Sequence, residues 1–582
     1  MRNVPFPVCW LCAGFLAATS LSAQEAPPPA SQEAFFETVN VNLVNVEVFV
    51  TDKEGNSIDG LTADDFELFD DDRPVVITNF YAVEGGRPTV VAPPSEEPVP
   101  ETEEEEPTSR REPPPLTTEP EIPEEQRLHL VVYIDNYNIR PLNRNRVFSR
   151  LREFLIEKLE PIDRVMLVSY DRSIHIRHPF TNDAPSIART LFTLQRDTGH
   201  ALQRDNERKT IRRAIENAET IGEISGRVRQ YASSVENDLR FTLDALRDTV
   251  GSLAGLPGRK ALLYVSDGLP MTPGQDLFWA VERRFDDISI LSQAHQFNSS
   301  RKFQELAAQA NAGRVTFYTI DATGLQGYVS GQAEEGRTSH TDSMNTFIDS
   351  VAIGNLQASI RTLAERTGGR AVVNANDIGL GMSRIAQDLH TYYSLGFNSA
   401  HGEDARYHRL EVRLKDRPRG YTVRHREGYR GKPVATAMVE GTVSALRYRY
   451  ESNPLGIALE AQPGSPHDEE NFSVPLLVRI PLKEIVFLPH EKIHRARVRV
   501  FFSVMDDSGR TSEVRQAAVP IEVPAEDLGE ALEKFYTYEA RLLMRPGNHA
   551  VAVGVRDEIG ATSSFVTGQV YVSSTESAPG DA

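Results

Sequence analysis

The chain has 582 residues, more than one hydrophobic core normally supports, so we expect several domains. Its hydrophobic share of 40% and charged share of 25% are ordinary for a globular protein. The formal net charge of −20 argues against nucleic acid as a partner, because binding to phosphates requires a basic face.

The N-terminus has the pattern of a signal peptide at residues 1–23. Arg2 provides the positive end, residues 8–18 are apolar, and small residues lead to Ala23. The alternative is an uncleaved membrane anchor, but the apolar stretch is short for a spanning helix. We therefore predict an exported protein, periplasmic, on the outer surface or secreted. Both cysteines lie in this segment, so the mature chain would contain neither a disulfide nor a cysteine-ligated zinc. No later stretch is apolar enough to predict a membrane span in the mature chain.

Two contrasting segments follow. Residues 34–85 alternate apolar and polar side chains, as in "VNLVNVEVFV", which predicts a small N-terminal β unit. Residues 86–127 consist largely of Glu and Pro and have almost no large apolar side chains. Such a composition cannot bury a core, so this stretch is predicted to be an acidic, disordered linker.

Residues 128–398 predict an α/β domain. Continuous apolar runs such as "LHLVVYI", "RVMLVSYD", "KALLYVSDG", "RVTFYTIDA", "RAVVNAND" and "YYSLGFN" alternate with helical segments. This alternation is typical of a doubly wound, mostly parallel sheet. A long helical insertion is expected at about residues 200–256.

The remainder of the chain is predicted to be β. Residues 405–430 have a β-hairpin pattern, and residues 434–573 have the pattern of a C-terminal β-sandwich. Within it, "ALRYRYE" is interpreted as a strand with Leu446, Tyr448 and Tyr450 inward. We expect the N-terminal β unit to pair with the 405–430 hairpin, because neither has enough residues to be very stable alone.

Three of the buried strands end in an acid: Asp135, Asp267 and Asp321. Ligand sites of open parallel sheets lie beyond the carboxyl ends of the strands, and carboxylates gathered there can hold a hard divalent cation. The alternative is that each aspartate caps the turn or helix that follows it.

The segments "LVVYIDNYN", "DRVMLVSYD", "PGRKALLYVSDG" and "FYTIDATGL" together resemble a von Willebrand factor A domain. With "RTLAERTGGRAVVNANDIGLGMSRIAQDLHTYYSLGF", "REGYR" and the leading hairpin, the chain is similar to the bacterial, largely acidobacterial, secreted von Willebrand factor A-related proteins. The resemblance covers most of residues 40–430. It implies protein binding through a metal-ion-dependent adhesion site.

Carried onto this sequence, the resemblance places Asp135 at the first aspartate of that site and Asp267 at the last. Tyr137 and Ile139 stand where two serines are expected, and Arg240 lies nearest the threonine position. The resemblance therefore implies a degenerate site.

Asp135 and Asp267, with the amides of Asn136 or Asn138 and with water, could still ligate Mg²⁺ or another divalent cation. Alternatively, the two acids hydrogen-bond loop amides or pair with an arginine such as Arg140 or Arg144.

We therefore expect an exported adhesion or scaffold-type protein that recognises a protein partner through one loop face. That face comprises five residues: Asp135, Asn136, Asn138, Asp267 and Asp321. Enzyme signatures such as a phosphate-binding loop and Gly-x-Ser-x-Gly do not occur in the sequence. Two alternatives are a hydrolase or other enzyme that uses these acids with His200, and a structural envelope component.

Overall fold

The computed structural model describes residues 43–89, 127–160, 163–197, 199–325, 339–415, 420–468 and 470–573. The predicted signal peptide at 1–23 and most of the predicted linker, residues 90–126, lie outside these ranges. None of the helices in the described ranges is both long enough and apolar enough to cross a membrane.

The described elements begin with five strands: β1 (Leu43–Thr51), β2 (Phe66–Asp70), β3 (Arg73–Val75), β4 (Asn79–Glu84) and β5 (Arg87–Thr89). The α/β region follows, with β6 (Leu128–Asp135), α1 (Pro141–Glu157), β7 (Arg164–Tyr170), β8 (Ile174–Thr181), α2 (Ala184–Leu194), α3 (Ala201–Asn217), α4 (Ile221–Leu253), β9 (Arg259–Ser266), α5 (Gln275–Phe285), α6 (Ser289–His295), α7 (Ser300–Ala312), β10 (Val315–Asp321), α8 (Ser339–Arg366), β11 (Ala371–Val372) and α9 (Ile378–His390).

The last part of the chain returns to strands. It contains β12 (Tyr392–Asn398), β13 (Tyr407–Leu414), β14 (Thr422–His425), β15 (Gly428–Arg430), α10 (Val434–Tyr448), β16 (Ala458–Ala461), β17 (Ser465–Pro466), β18 (Phe472–Pro481), β19 (Leu488–His490), β20 (Ile493–Asp506), β21 (Arg515–Pro524), α11 (Leu528–Leu532), β22 (Phe535–Met544), β23 (Gly547–Asp557) and β24 (Ser563–Val572).

The central sheet has the order β8-β7-β6-β9-β10-β11 within the described residues. Its strands run parallel except for β8, which lies antiparallel at one edge. Residues on one face, such as Val132, pack with α1, α2 and α9, and residues on the other, such as Val131, pack with α4, α7 and α8. Burial on both faces explains why the strands are continuously apolar. The prediction of a mostly parallel α/β sheet is confirmed.

Helices α3 and α4 lie where the insertion at 200–256 is predicted. The first half of α4 packs beside α5 and α6, with Ile224 and Val228 against Leu277 and Phe278. Its second half, including Leu243 and Leu246, packs on the central sheet. One long helix therefore joins the insertion to the sheet.

A pair of antiparallel sheets combines the N-terminal strands with strands that follow the α/β region. Their orders are β14-β1-β12-β4-β5 and β15-β13-β2-β3 in the described ranges, and their apolar faces share one core cluster. Strand β1 lies between β12 and β14, so that Val48 is paired with Tyr393 on one side and His425 on the other. Residues from both ends of the α/β region thus complete one β module.

Two sequence interpretations need correction here. The segment "YYSLGFN", assigned from its pattern to the α/β sheet, is β12 and lies in the antiparallel module between β1 and β4. Residues 405–430 do not form a simple hairpin: β13 pairs with β2 and β15, whereas β14 pairs with β1 in the other sheet. The apolar pattern of a doubly buried strand does not reveal which neighbours it will have.

The predicted start of the linker at residue 86 also needs correction. Strands β4 and β5 form a hairpin with Glu84 opposite Arg87. Gly85 and Gly86 both have positive φ angles, of 55° and 78°, as tight two-residue hairpin turns require. The chain therefore stays in the sheet through Thr89.

The C-terminal region begins with helix α10, which corrects the interpretation of "ALRYRYE" as a strand. The helix is held closely, since a Cβ added at Gly441 would approach the Phe565 ring to 2.3 Å. Beyond it, two antiparallel groups of strands are described: β16, β17, β18 and β22, and β19, β20, β21, β23 and β24. Apolar residues of both groups, such as Val474 and Val478 in β18 and Val500 in β20, belong to one core cluster.

Candidate functional site

The order of the central sheet reverses direction between β6 and β9, which are the first and fourth strands of the α/β region. In open α/β sheets, ligands bind beyond the carboxyl ends of the strands at such a switch point. Asp135 ends β6, Asp267 follows the last residue of β9, and Asp321 ends β10. The structure therefore places Asp135 and Asp267 at the switch point and Asp321 at the end of the next strand in the sheet.

Asp135 is fully buried and accepts hydrogen bonds from several donors. The backbone N–H of Asn138 lies 3.1 Å from Oδ1, and the side-chain amide of Asn138 donates to both carboxylate oxygens, at 3.1 and 2.9 Å. The Tyr264 hydroxyl donates to Oδ2, and the Ser266 hydroxyl lies 3.4 Å from it. Burial raises the pKa of Asp135, and these hydrogen bonds oppose that effect. Because each partner is a donor, the ionised carboxylate suits this environment.

Asn138 connects Asp135 to the helical insertion. Its amide lies 3.2 Å from the Thr242 hydroxyl, and its side-chain oxygen accepts a 2.8 Å hydrogen bond from Arg204. The threonine hydroxyl near the site is therefore that of Thr242, two residues beyond Arg240, the position suggested by the sequence. The helical insertion obscured the spacing by which this threonine could have been found.

Asp267 is held by the loop after β6 and by the first turn of α1. Its Oδ2 accepts from the backbone N–H and from the guanidinium of Arg140, both at 3.1 Å. The amide of Asn143 donates to both of its oxygens, at 3.1 and 2.9 Å. Burial raises the pKa of Asp267 to about 6, although the Arg140 charge lowers it. This is the arginine and amide pairing that the sequence offered as the alternative to metal binding.

The other predicted site residues are buried as well. Asp321 accepts hydrogen bonds of 2.9 Å from the backbone of Thr323 and from the amide of Gln357. Asn136 accepts a hydrogen bond from the guanidinium of Arg144. None of the five residues expected on the binding face is more than 7% exposed. The solvent-exposed surface of this loop face is consequently made by the residues that cover them.

This donor set does not fit a divalent cation. Mg²⁺ needs oxygen ligands in near-octahedral arrangement, but the oxygens of Asp135 and Asp267 face N–H and O–H donors. The positive guanidinium of Arg140 lies against Asp267, and that of Arg204 contacts Asn138. Ile139, at the position of an expected hydroxyl ligand, is packed in the core.

An open cavity of about 300 Å³ lies beside these buried acids. Its lining contains charged side chains of both signs: Arg140, Arg204, Arg208, Asp205, Asp267, Asp276 and Asp349. The neutral polar side chains in the lining include Asn138, Thr323, Thr346 and Asn355. Arg140 bridges Asp205 and Asp267, and Arg208 pairs with Asp276 at 2.6 Å. The cavity thus offers a charged, hydrogen-bonding surface to which helices α3, α5 and α8 and the loops contribute.

His200, named in the enzyme alternative, lies outside the lining of this cavity. Its ring contacts Asp171 at 3.3 Å and lies beside the ring of Tyr137. No Ser, Cys or Lys lies in the cavity lining within the described residues. The lining provides carboxylates, guanidinium groups and the hydroxyls of Thr323 and Thr346, and the Thr323 hydroxyl donates a hydrogen bond to Asp321.

A second group, in the β module, could hold a metal ion. Potential ligand atoms of Asp71, His401 and His408 lie within 4.8 Å of one another. The ring nitrogens of His408 contact Asp71 at 2.8 Å and Asp404 at 3.0 Å. The rings of His401 and His408 are stacked 4.2 Å apart and nearly parallel, so one ring would have to rotate before both could bind one ion. Sequence inspection missed this group, because the turn at Asp71 is distant in sequence from the two histidines.

Comparisons with known proteins show only distant similarity to solved structures. No family model matches the chain, and no curated protein matches it. Similar solved structures include the conserved hypothetical protein BatB from Bacteroides thetaiotaomicron, at 12% identity over 45% of this chain and 97% of that chain, with a TM-score of 0.22. An aerotolerance-related membrane protein from Bacteroides fragilis matches at 10% identity over 45% and 98%, with a TM-score of 0.22. The manganese-loaded TRAP protein of Plasmodium vivax matches at 10% over 53% and 95%, with a TM-score of 0.21. At such low TM-scores, these likenesses carry no argument about the function of this chain.

Substitution of Arg144 should loosen the loop that carries Asn136. This side chain is 1% exposed and donates to the backbone oxygens of Gln195 and Asp197, at 3.0 and 2.8 Å, besides Asn136. Arg144→Met would leave these acceptors without their donor, so we expect a loss of about 3 kcal/mol in the free energy of unfolding, measured by urea denaturation. Arg150→Met, at an exposed position on the same helix, should change it by less than about 0.5 kcal/mol. Equal losses in the two variants would contradict this role.

Proposed function

We propose that the chain is an exported adhesion or scaffold-type protein that binds another protein through the loop face of a von Willebrand factor A-like domain. The strand order and the position of Asp135 and Asp267 at the switch point support this kind of domain. The predicted signal peptide supports export. The observation that carries the proposal is the open, charged cavity at this switch point, since ligands of open α/β sheets bind there.

In this proposal the face works without a bound metal. Asp135, Asp267 and their partners hold the loops in place, while Arg140, Arg204 and Asp205 form the polar contact surface. Arg204 is half-buried, donates to the amide oxygen of Asn138, and forms no ion pair with any carboxylate in the described part of the chain. A carboxylate supplied by a partner protein would complete its hydrogen bonding, and guanidinium–carboxylate pairs are strong and directional. We therefore propose an acidic side chain of the partner as the group that enters the cavity.

The proposal includes two further assignments. The C-terminal strand groups are interpreted as a β-sandwich, because residues of both groups contribute to one core cluster. The chain is proposed not to be an enzyme, since two of the cavity carboxylates, Asp267 and Asp276, are held in ion pairs with Arg140 and Arg208. A hydrolase that uses the acids, or a purely structural envelope component, is the competing function.

The proposal predicts a charge-dependent but metal-independent interaction. A partner would first be identified by cross-linking and pull-down from an envelope extract, and its dissociation constant then measured by calorimetry. Arg204→Glu should weaken binding at least about tenfold, which corresponds to about 1.4 kcal/mol, because it replaces the proposed cation with an anion. Chelation of divalent cations should leave the dissociation constant unchanged.

The matched control is Arg213→Glu, which makes the same charge change at an exposed position on the same helix. It should leave binding within about twofold of the wild type. Equal weakening by both variants would indicate only a general effect of net charge. Loss of binding on chelation would contradict the metal-free mode, and hydrolysis of the partner would favour the enzyme alternative.

A further inference from the structure

A second cavity, remote from the acids at the switch point, is lined by basic side chains. It has a volume of about 220 Å³ and lies between the start of β1, the C-terminal ends of α4 and α7, and the segment from β15 to α10. We call it the basic cleft, after the cationic residues that line it: Lys260, Arg314, Arg426, Arg430 and Lys432. No aspartate or glutamate lies in its lining within the described residues. In a chain of net charge −20, this concentration of positive charge is unusual.

Neighbouring carboxylates neutralise only part of that charge. Arg314 pairs with Glu47 at 2.8 Å, and Lys432 pairs with Glu440 at 2.7 Å. Lys260, Arg426 and Arg430 form no direct ion pair with a carboxylate in the described ranges, although the charge of Glu47 also acts on Arg426 and Lys260 from farther away. Three basic side chains around one small cavity therefore lack a contacting carboxylate, and two of them, Lys260 and Arg426, are removed from water.

Carbonyl groups near helix ends accept some, but not all, of the hydrogen bonds that the basic side chains of the cleft can donate. Lys260 donates to the carbonyl of Leu256 at 2.7 Å, and Arg426 donates to that of Asn311 at 3.1 Å. Carbonyls near helix C-termini attract cations, which helps to explain why these two side chains are buried. Yet the Nε atoms of Arg314 and Arg426 are buried and have no hydrogen-bond partner. Buried donors without partners are uncommon and costly, so these atoms indicate a missing acceptor.

The cations also destabilise one another. The pKa of Arg426 is lowered to about 10, mainly by burial; the charge of Glu47 opposes this effect and the charge of Arg314 adds to it. Burial likewise lowers the pKa of Lys260, and Arg314 and Lys432 add to that effect. An anion placed among these side chains would relieve both the desolvation and the mutual repulsion.

We propose that the basic cleft binds a small oxyanion from solution, a phosphate, sulfate or carboxylate group. The cavity is smaller than those that usually enclose drug-sized ligands, so a single ionic group suits it. Lys260 is 5% exposed and Arg426 is 6% exposed, so the anion must enter the cavity rather than lie on a flat surface such as a bilayer. Since the lining comes from the antiparallel β module and from the α/β region, the bound anion also joins these parts.

The test uses the full mature chain and inorganic phosphate. Thermal unfolding and calorimetry are followed during titration with potassium phosphate, with potassium chloride at the same ionic strength as reference. The wild type should show saturable binding to phosphate and a rise in Tm with occupancy, because a ligand that binds only the folded state stabilises it. The double variant Arg430→Gln, Lys432→Gln removes two cations that are not fully buried and should weaken phosphate binding at least tenfold.

A matched double variant, Arg213→Gln with Arg229→Gln, removes two exposed arginines from α3 and α4 and should bind phosphate like the wild type. Equal dissociation constants for both double variants would overturn the assignment, as would a Tm rise no larger than that in chloride. Binding to phosphatidylglycerol vesicles without binding to inorganic phosphate would overturn the choice of a soluble ion. None of these outcomes depends on the loop-face partner, so the two proposals can fail separately.

Discussion

Glu47→Gln is expected to lower the free energy of unfolding by roughly 3–5 kcal/mol at pH 7, because it leaves the partly buried Arg314 and the buried Arg426 without their counter-charge. Glu47 lies on β1, its side chain is 14% exposed, and its carboxylate accepts a 2.8 Å hydrogen bond from Arg314. Burial raises the pKa of Glu47, but the charges of Arg314 and Arg426 outweigh burial and lower it from 4.5 to about 2. The folded state therefore strongly favours the ionised form.

The same carboxylate should give the wild type a defined acid sensitivity. Because the folded pKa of Glu47 is depressed, its contribution is present above pH 4.5 and is lost as the pH falls toward about 2. A difference of this size corresponds to about 3 kcal/mol. The free energy of unfolding, measured with urea at several pH values, should fall less steeply with decreasing pH in Glu47→Gln than in the wild type. Glu84→Gln, at an exposed position on β4, should show the same pH dependence of the unfolding free energy as the wild type. If Glu47→Gln also showed that same pH dependence, the depressed pKa assigned to Glu47 would be contradicted.

Asp135→Ala is expected to cost about 3–5 kcal/mol of unfolding free energy, and the loss should be the same with and without Mg²⁺. The substitution leaves the buried donors of Asn138, Tyr264 and Ser266 without their acceptor. The cost arises inside the fold, because Asp135 has no exposed surface. The measurement is urea denaturation in millimolar MgCl₂ and in a chelator.

Two variants bracket this effect. Tyr264→Phe removes one of the donors to Asp135 and should cost about 1–2 kcal/mol. Asp244→Ala, at an exposed position on α4, should cost less than about 0.5 kcal/mol. If Mg²⁺ stabilised the wild type but not Asp135→Ala, Asp135 would be a metal ligand and the structural role assigned to it would be incorrect.

The position of the acids could be foreseen because it follows from local sequence. "LHLVVYID" and "KALLYVSD" are apolar runs that end in a carboxylate, and parallel strands place their carboxyl ends along one edge. The surroundings of the acids could not be foreseen. The donors to Asp135 come from Asn138, three residues away, and from Tyr264 and Ser266, more than a hundred residues away.

Two secondary-structure elements were wrongly predicted because, here too, contacts with distant parts of the chain decide the outcome. The "ALRYRYE" segment has alternating large residues that suit a strand, but its first part completes helix α10, in which Met438, Thr442 and Ala445 are buried at helical spacing. Strand β12 resembles the parallel strands in burial, yet its partners β1 and β4 are antiparallel and lie far away in the chain. In both cases the local pattern is compatible with more than one set of neighbours.

The sequence by itself determined the α/β character of most of residues 128–398, the strand ends that carry Asp135, Asp267 and Asp321, and the β character of the flanking regions, because these depend on the periodicity and termination of apolar runs. Only the tertiary structure decided that the acids are buried among hydrogen-bond donors, that Thr242 rather than Arg240 contacts Asn138, and that five cations from separate segments line one cleft. Hydrogen bonds and charge clusters between distant segments depend on which elements pack together, and that choice is made by burial of the whole chain rather than by any local pattern.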